Sequence, residues 1–239
     1  MTQTVKPSCP YSTKLCIPAR WTYLAFQFII MIAIIIFFLL HWFGSLFFHT
    51  FFLHRYASHQ MYTTGKKREK VFYFLTWLTQ GSSFLVPRAY AVMHRMHHVF
   101  SDTEKDPHSP HFFKDVMGMM IHTKRIYHGF LTNKLTVEKE FTKDYLPIWK
   151  RLDRFGDRNW VRIAFVIMYT SFYIYFAPSA WWYLLLPIHF LMGELFQNNH
   201  HKYGTSPNFA QKWFEWDPTF SIMVIMHHLR IIKLKPVHH

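Results

Sequence analysis

Histidines beside long apolar runs are the residues of this chain that could do chemistry. Eighteen histidines occur among 239 residues. Neutral imidazole binds iron, copper, zinc and nickel, so clustered histidines predict a metal site without selecting the metal. Three groups are present: His54 and His59, preceded by His49; His94, His97 and His98; and His200 and His201, preceded by Gln197.

Spacing within the groups predicts how the rings are shared between metals. Five residues along an α-helix separate two side chains by about 140°, so His54 and His59 are expected to reach different metals. Positions i, i+3 and i+4 lie on one helical face, so His94, His97 and His98 are expected to converge on a two-metal centre. In the third group, His200 and His201 repeat the adjacent pair formed by His97 and His98.

Histidine ligands need neighbouring groups that fix the tautomer and the ring orientation. Residues close enough in sequence to do so are Asp102, Asp106, His108 and Glu194. Two further histidines are additional candidate ligands. His49 precedes the first group, and His189 lies inside an apolar run, where a polar side chain is costly and usually functional.

Composition points to a bilayer. Hydrophobic residues make up 51% of the chain and aromatic residues 20%, more apolar surface than a soluble domain of this size normally buries. The net charge of +14 suits nucleic acid, an anionic membrane surface or a phosphate-bearing substrate equally well. The apolar runs favour the membrane, and no nucleic-acid partner is expected. The two cysteines, Cys9 and Cys16, are too few for a thiolate metal site.

Three apolar runs predict three transmembrane helices. Residues 21–54 contain no Asp, Glu, Lys or Arg, and a helix of that length rises roughly 50 Å, beyond the roughly 30 Å of hydrocarbon. One long helix that carries the first histidines into water is therefore preferred over two crossings. Residues 160–176 and 181–196 flank a turn and predict a helical hairpin. Residues 71–86 are too short for a comfortable span and predict an interfacial helix.

This topology places residues 55–158 and the chain from 200 onward on one face of the membrane. That face holds most of the Lys and Arg, as expected of the cytoplasmic side. The expected fold is an all-α, multi-pass membrane protein with about three transmembrane helices, an interfacial helix and a cytosolic helical cap holding the histidine cluster. Residues 1–239 are expected to form one domain, with residues 1–20 as a flexible N-terminal segment.

The three groups resemble the histidine boxes of integral-membrane acyl-CoA desaturases, in the fatty acid desaturase family. The matching segments are His54-Arg-Tyr-Ala-Ser-His59, His94-Arg-Met-His97-His98 and Gly193-Glu-Leu-Phe-Gln-Asn-Asn-His-His201. The resemblance implies two non-heme irons that activate O2 and introduce a double bond into a long acyl chain, with no catalytic side chain beyond the metal centre. The ligands that it implies are His54, His59, His94, His97, His98, Gln197, His200 and His201.

The resemblance also implies the partners. The substrate would be a long-chain acyl-CoA or acyl-lipid, and the membrane would be the bacterial inner membrane or the endoplasmic reticulum. The chain has no glycine-rich dinucleotide fingerprint and no heme domain, so electrons must come from an external donor of the cytochrome b5 or ferredoxin type. A lipid hydroxylase with the same boxes is the alternative within enzymes, because hydrogen abstraction is shared.

Two departures from the family pattern bear on the metal centre. Gln197 stands where delta-9 relatives have histidine. The acyl-CoA branch also supplies an Asn and a His before its third box, whereas here residues 186–193 run directly into Glu194. The resulting hypothesis is that one iron site is close to complete and the other is depleted. This allows a third reading: an internally shortened, non-catalytic relative that acts as a membrane scaffold.

Overall fold

The computed structural model describes residues 19–101, 103–107, 109, 112–132, 134–176, 206–210 and 212–235. Within these ranges the regular secondary structure is helical except for one two-stranded sheet, so the chain is mostly helical, as predicted. The elements are α1 (Ala19–Phe48), a π-helix (His49–Ser58), β1 (Tyr62–Thr63), α2 (Lys66–Gln80), a 3₁₀ turn (Gly81–Ser83), α3 (Pro87–Phe100), α4 (Val116–Leu131), α5 (Lys139–Thr142), α6 (Lys150–Gly156), α7 (Asn159–Phe176), α8 (Pro218–His228) and β2 (Lys233–Leu234).

The first apolar run is one continuous helix, as predicted. Helix α1 passes directly into the π-helix, and within the described ranges Leu24–Ser58 is the one helix long and apolar enough to cross a membrane. Its outward side chains are apolar, with Phe26, Phe28 and Ile29 more than 60% exposed. Exposed apolar side chains along one helix are what a bilayer would cover.

The π-helix forms the centre of the core. Every residue from Thr50 to Ser58 is buried. Phe51, Phe52 and Leu53 have no exposed surface, and the aromatic rings of α2 and α3 pack around them. A polar segment such as His54-Arg55 can be buried here only with partners for its side chains.

Helix α7 packs against α1. Phe37 stacks on Phe172 with ring centroids 4.0 Å apart, and Ile34 and Tyr173 are both buried in the same cluster. The helix predicted at residues 160–176 is therefore present. Residues 181–196, predicted as its partner in the hairpin, lie outside the described residues, so the number of spans stays a prediction.

A glycine turn separates α2 from α3. Gly81 has a φ of +52°, and the Tyr169 hydroxyl of α7 lies where a Cβ on Gly81 would stand. Both features require glycine, because an L side chain is disfavoured at this φ and would also clash. The predicted interfacial helix at 71–86 thus ends at Gln80, and α3 begins at Pro87.

The segment between α3 and α7 contains helices, as expected of the predicted cap. The longest of them is α4, and the Asp115 side chain caps it by accepting a hydrogen bond from the Gly118 amide at 2.6 Å. The C-terminal segment returns to the core, because β2 pairs antiparallel with β1 and places Leu234 opposite Tyr62. Two distant segments of the chain thereby flank the end of the π-helix.

Candidate metal centre

The π-helix determines where the first two histidines lie. The amide of His59 donates to the carbonyl of His54 at 3.2 Å, an i→i+5 hydrogen bond. In a π-helix this bond stacks residue i+5 over residue i, as the i→i+4 bond does in an α-helix. The two rings are 5.1 Å apart, closer together than the α-helical spacing predicts. The expectation that they reach different metals stays a prediction.

Helix α3 supplies the other two members of the cluster. His94 and His98 are one turn apart on the same face of α3. Their rings lie 4.7 Å apart, and His94 faces His54 of the π-helix at 4.4 Å between centroids. Packing of α3 against the π-helix therefore brings the first and second sequence groups together.

The four imidazoles converge on one point. Each of His54, His59, His94 and His98 offers a ring nitrogen, and these nitrogens all lie within 4.8 Å of one another. His94 Nε2 lies 2.9 Å from His59 Nε2 and 3.0 Å from His98 Nε2. We refer to these four residues as the four-histidine cluster.

This arrangement fits a bound cation. A neutral imidazole nitrogen carries either one N–H or one lone pair, so His94 Nε2 can form a hydrogen bond with one of its two neighbours and not with both. A metal ion that accepts the lone pairs of all three nitrogens would replace these unfavourable contacts with metal–ligand bonds. Imidazole ligands suit iron as well as copper, zinc and nickel.

His97 points to a different side of α3. Its Nδ1 lies 2.9 and 3.0 Å from the two carboxylate oxygens of Asp106, which is buried. Its ring is 6.2 Å from that of His94 and 6.0 Å from that of His98. A carboxylate that accepts the Nδ1 hydrogen fixes the tautomer in which Nε2 carries the lone pair that can ligate a metal. Asp106 thus occupies the orienting position that the sequence suggested.

His49 lies outside the four-histidine cluster. Its Nδ1 is 3.3 Å from Gln80 Nε2, and its Nε2 is 3.3 Å from the Tyr90 hydroxyl. The Tyr90 ring in turn stacks on His94 with centroids 5.6 Å apart. Tyr90 therefore lies between His49 and the four-histidine cluster.

The third histidine group cannot be placed. The candidates that lie outside the described residues are Asp102, His108, His189, Glu194, Gln197, His200 and His201. Their roles stay predictions from the sequence.

A buried ion pair that sequence reasoning missed lies beside the cluster. The Arg55 guanidinium donates to Asp217 Oδ2 at 2.5 Å and to the Pro207 carbonyl at 3.0 Å, and both side chains are almost fully buried. Arg55 also lies over the Phe209 ring, which packs against His54. The C-terminal segment is thus held against the first histidine group. The position of Arg55 directly after His54 could have marked it as a residue near the site. Its partner could not be predicted, because Asp217 lies 162 residues away.

A second arginine, Arg95, lies inside the second histidine group and was also missed. Its guanidinium donates to the Ser58 carbonyl at 2.9 Å and to the Ala57 carbonyl at 3.1 Å. Burial lowers the pKa of Arg95 from its ordinary value, whereas the nearby charge of Asp144 raises it. An arginine remains charged throughout the physiological range, so these are charge-assisted hydrogen bonds.

Comparisons with known proteins give one consistent result. The chain is 28% identical to the sn-1 stearoyl-lipid 9-desaturase of Synechocystis sp. over 226 positions, covering 77% of this chain and 66% of that protein. It is 25% identical to Delta-9 desaturase-like 4 protein of Arabidopsis thaliana (76% of this chain, 69% of the relative) and 24% identical to an sn-1 stearoyl-lipid 9-desaturase of Anabaena variabilis (79% and 78%). No family model matches the chain, and no solved structure gives a significant match.

The lengths of these alignments carry further information. The chain covers slightly less than two thirds of the Synechocystis relative. The alignment has 226 positions, but it includes only 77% of the 239 residues of this chain, which is fewer than 226. Part of that relative's aligned stretch therefore has no counterpart in this chain. The similarity nevertheless extends over about three quarters of the chain in each of the three relatives. These homologues make the chain a relative of the fatty acid desaturase family.

Proposed function

We propose that the chain is an O2-dependent fatty acid desaturase with a non-heme di-iron centre at the cytoplasmic face of a membrane. The observation that carries the proposal is the convergence of His54, His59, His94 and His98 from two separate helices. The desaturase names of the homologues support the class of reaction. The substrate is a long acyl chain, carried on CoA or on a lipid.

The reaction needs an outside source of electrons. Each O2 accepts four electrons in becoming two waters; two come from the carbon–hydrogen pair of the acyl chain and two from a donor. The protons that complete the waters come from the substrate and from solvent. The donor is a separate small carrier, of the cytochrome b5 or ferredoxin type, and bound iron supplies the redox chemistry.

The chain's own residues hold and orient the metals. The four-histidine cluster provides neutral ligands for one iron, and His97, oriented by Asp106, provides a ligand for the other. In the proposal Gln197, His200 and His201 complete the second site. Packing of Phe209 on His54 limits the access of water to this side of the site, since His54 has no exposed surface and the two rings are 5.2 Å apart.

The two iron sites are unequal in this proposal. The four-histidine cluster has its ligands within the first two histidine boxes, whereas the site of His97 depends on the third. The unmatched part of the Synechocystis alignment is consistent with the short connection before Glu194. The first iron is therefore held tightly and the second weakly, and turnover is slow compared with a complete desaturase.

Acyl-chain analysis tests the function. The full chain is expressed in a host that lacks the corresponding desaturase, and its fatty acids are profiled. The proposal expects new unsaturated acyl chains that disappear in His98→Ala, with His128→Ala on the exposed surface of α4 as the matched control. Hydroxylated chains with retained oxygen would instead identify the hydroxylase alternative. An unchanged profile, despite metal binding, would favour the scaffold reading.

A further inference from the structure

We infer that Arg95 is a positioning residue that fixes His59 for metal binding by holding the end of the π-helix. The inference rests on the metal site of the proposed function. It is carried by the contacts of one guanidinium and by the backbone around His59.

The π-helix ends in carbonyls that need donors. At any helix terminus the last carbonyls have no partner within the helix, and they must find one elsewhere if they are buried. Here the Leu53 carbonyl accepts from the Ser58 hydroxyl at 2.9 Å. The carbonyls of Ala57 and Ser58, the two residues before His59, accept from Arg95.

The same guanidinium reaches a second segment of the cap. Arg95 donates to the Phe141 carbonyl at 3.0 Å and to the Tyr145 carbonyl at 3.4 Å. Arginine has five N–H donors in a rigid planar fork, so it can serve four carbonyls at once. Lysine carries its donors on a single nitrogen and cannot reproduce this geometry.

The chain turns sharply just beyond His59. Gln60 has a φ of +51°, which is uncommon for a residue other than glycine and is retained only where neighbouring contacts hold it. One such contact is present: Gln60 Nε2 donates at 2.6 Å to the Tyr145 carbonyl, which also accepts from Arg95. His59 therefore stands between a held helix end and a held turn.

Arg95 also belongs to the element that carries the other ligands. It follows His94 directly and precedes His98 by three residues on α3. Helix α3 thus presents two histidines of the cluster and, through the guanidinium, sets the position of a third. This linkage keeps His59 Nε2 within 2.9 Å of His94 Nε2.

Metal affinity of purified protein tests the inference without relying on turnover. Co²⁺ is titrated anaerobically into the parent chain, Arg95→Ala, Arg95→Lys and Arg162→Ala. The matched control is Arg162, which also donates to two backbone carbonyls, of Ser82 and Phe84, away from the cluster. Loss of a residue that orients a ligand costs about 10- to 100-fold in affinity, and this loss is expected for Arg95→Ala. Arg95→Lys should lose less, and Arg162→Ala should bind as the parent does.

A double variant separates positioning from general stability. In a His59→Ala background the ligand that Arg95 positions is gone, so Arg95→Ala should cause no further loss of affinity. An equal loss in both backgrounds, or an Arg95→Ala variant with parental affinity, would overturn the inference. If Arg95→Ala does not fold, Arg95→Lys in the two backgrounds gives the same comparison.

Hydrogen exchange distinguishes failure of this inference from failure of the proposed function. The amides of Gln60 and Met61 donate to the Tyr56 and Arg55 carbonyls, and both should exchange at least tenfold faster in Arg95→Lys than in the parent. This readout needs no metal. A parent chain that binds no Co²⁺ contradicts the proposed function, whereas unchanged exchange in Arg95→Lys contradicts the role of Arg95.

Discussion

His59 donates its backbone amide to the carbonyl of His54, and this i→i+5 bond brings the two imidazole rings together. In an α-helix the same spacing would turn the rings about 140° apart. In the π-helix their centroids are 5.1 Å apart. Short π-helical segments occur frequently at functional sites, and here the segment runs from His49 to Ser58.

The pairing of His97 with Asp106 predicts a selective effect on the second metal. Asp106→Asn removes the charge that favours the Nδ1–H tautomer, so the metal bound by His97 should bind about 10- to 100-fold more weakly. The metal in the four-histidine cluster should be retained. Stepwise metal titration separates the two, and Asp115→Asn, at the α4 N-terminus, is the control.

Combining Asp106→Asn with His97→Ala sharpens this prediction. If Asp106 acts through His97, the double variant binds metal as His97→Ala alone does. Equal loss of both metals in Asp106→Asn would instead mean that the carboxylate supports the whole cap.

The buried ion pair of Arg55 and Asp217 predicts a large stability effect. Asp217→Ala leaves the Arg55 charge buried without its counter-ion, which costs about 3–5 kcal/mol. It also removes the acceptor of the Phe209 and Phe220 amides. Denaturant unfolding in detergent measures the change.

The control for this pair is Asp157→Ala. Asp157 pairs with Arg162 at 3.0 Å, but both side chains are partly exposed. Removing such a pair costs at most about 1 kcal/mol. Similar losses for Asp217→Ala and Asp157→Ala would contradict the role given to burial.

Substitution of Gly81 should destabilise the protein, both through its backbone conformation and through a steric clash. Gly81→Ala places a Cβ at a positive φ and against the Tyr169 hydroxyl, so it should destabilise the protein by more than about 1 kcal/mol. Tyr169→Phe in the same chain should recover part of the loss, because it removes the clashing oxygen. Gly65→Ala is the control: open space surrounds Gly65, and its φ is ordinary. Thermal unfolding of the parent and these three variants measures the differences.

The sequence predicts the helices that depend on local pattern. The long uncharged run predicted α1, and the apolar run after Arg158 predicted α7, because hydrophobicity and length are local properties. The convergence of histidines from the first two groups was also predictable from clustering alone. Asp106 could be suggested as an orienting residue because it lies nine residues from His97.

The details of the site depended on contacts that no local pattern contains. The π-helix was not foreseen, since periodicity over ten residues does not separate it from an α-helix, and the closeness of the His54 and His59 rings was therefore not predicted. The partners of Arg55 and Arg95 are set by tertiary packing: Asp217 lies 162 residues from Arg55, and Phe141 lies 46 residues from Arg95. Buried charged groups need such partners, yet their identity follows from the fold.

Iron binding by the purified chain tests the central claim most directly. Anaerobic titration with Fe²⁺ should show one tightly bound iron per chain that is lost in both His94→Ala and His98→Ala, and a second, weaker iron that is lost in His97→Ala. His128→Ala should change neither. A parent chain that binds no iron, or a His98→Ala variant that keeps the tight iron, would contradict the four-histidine site on which the account rests.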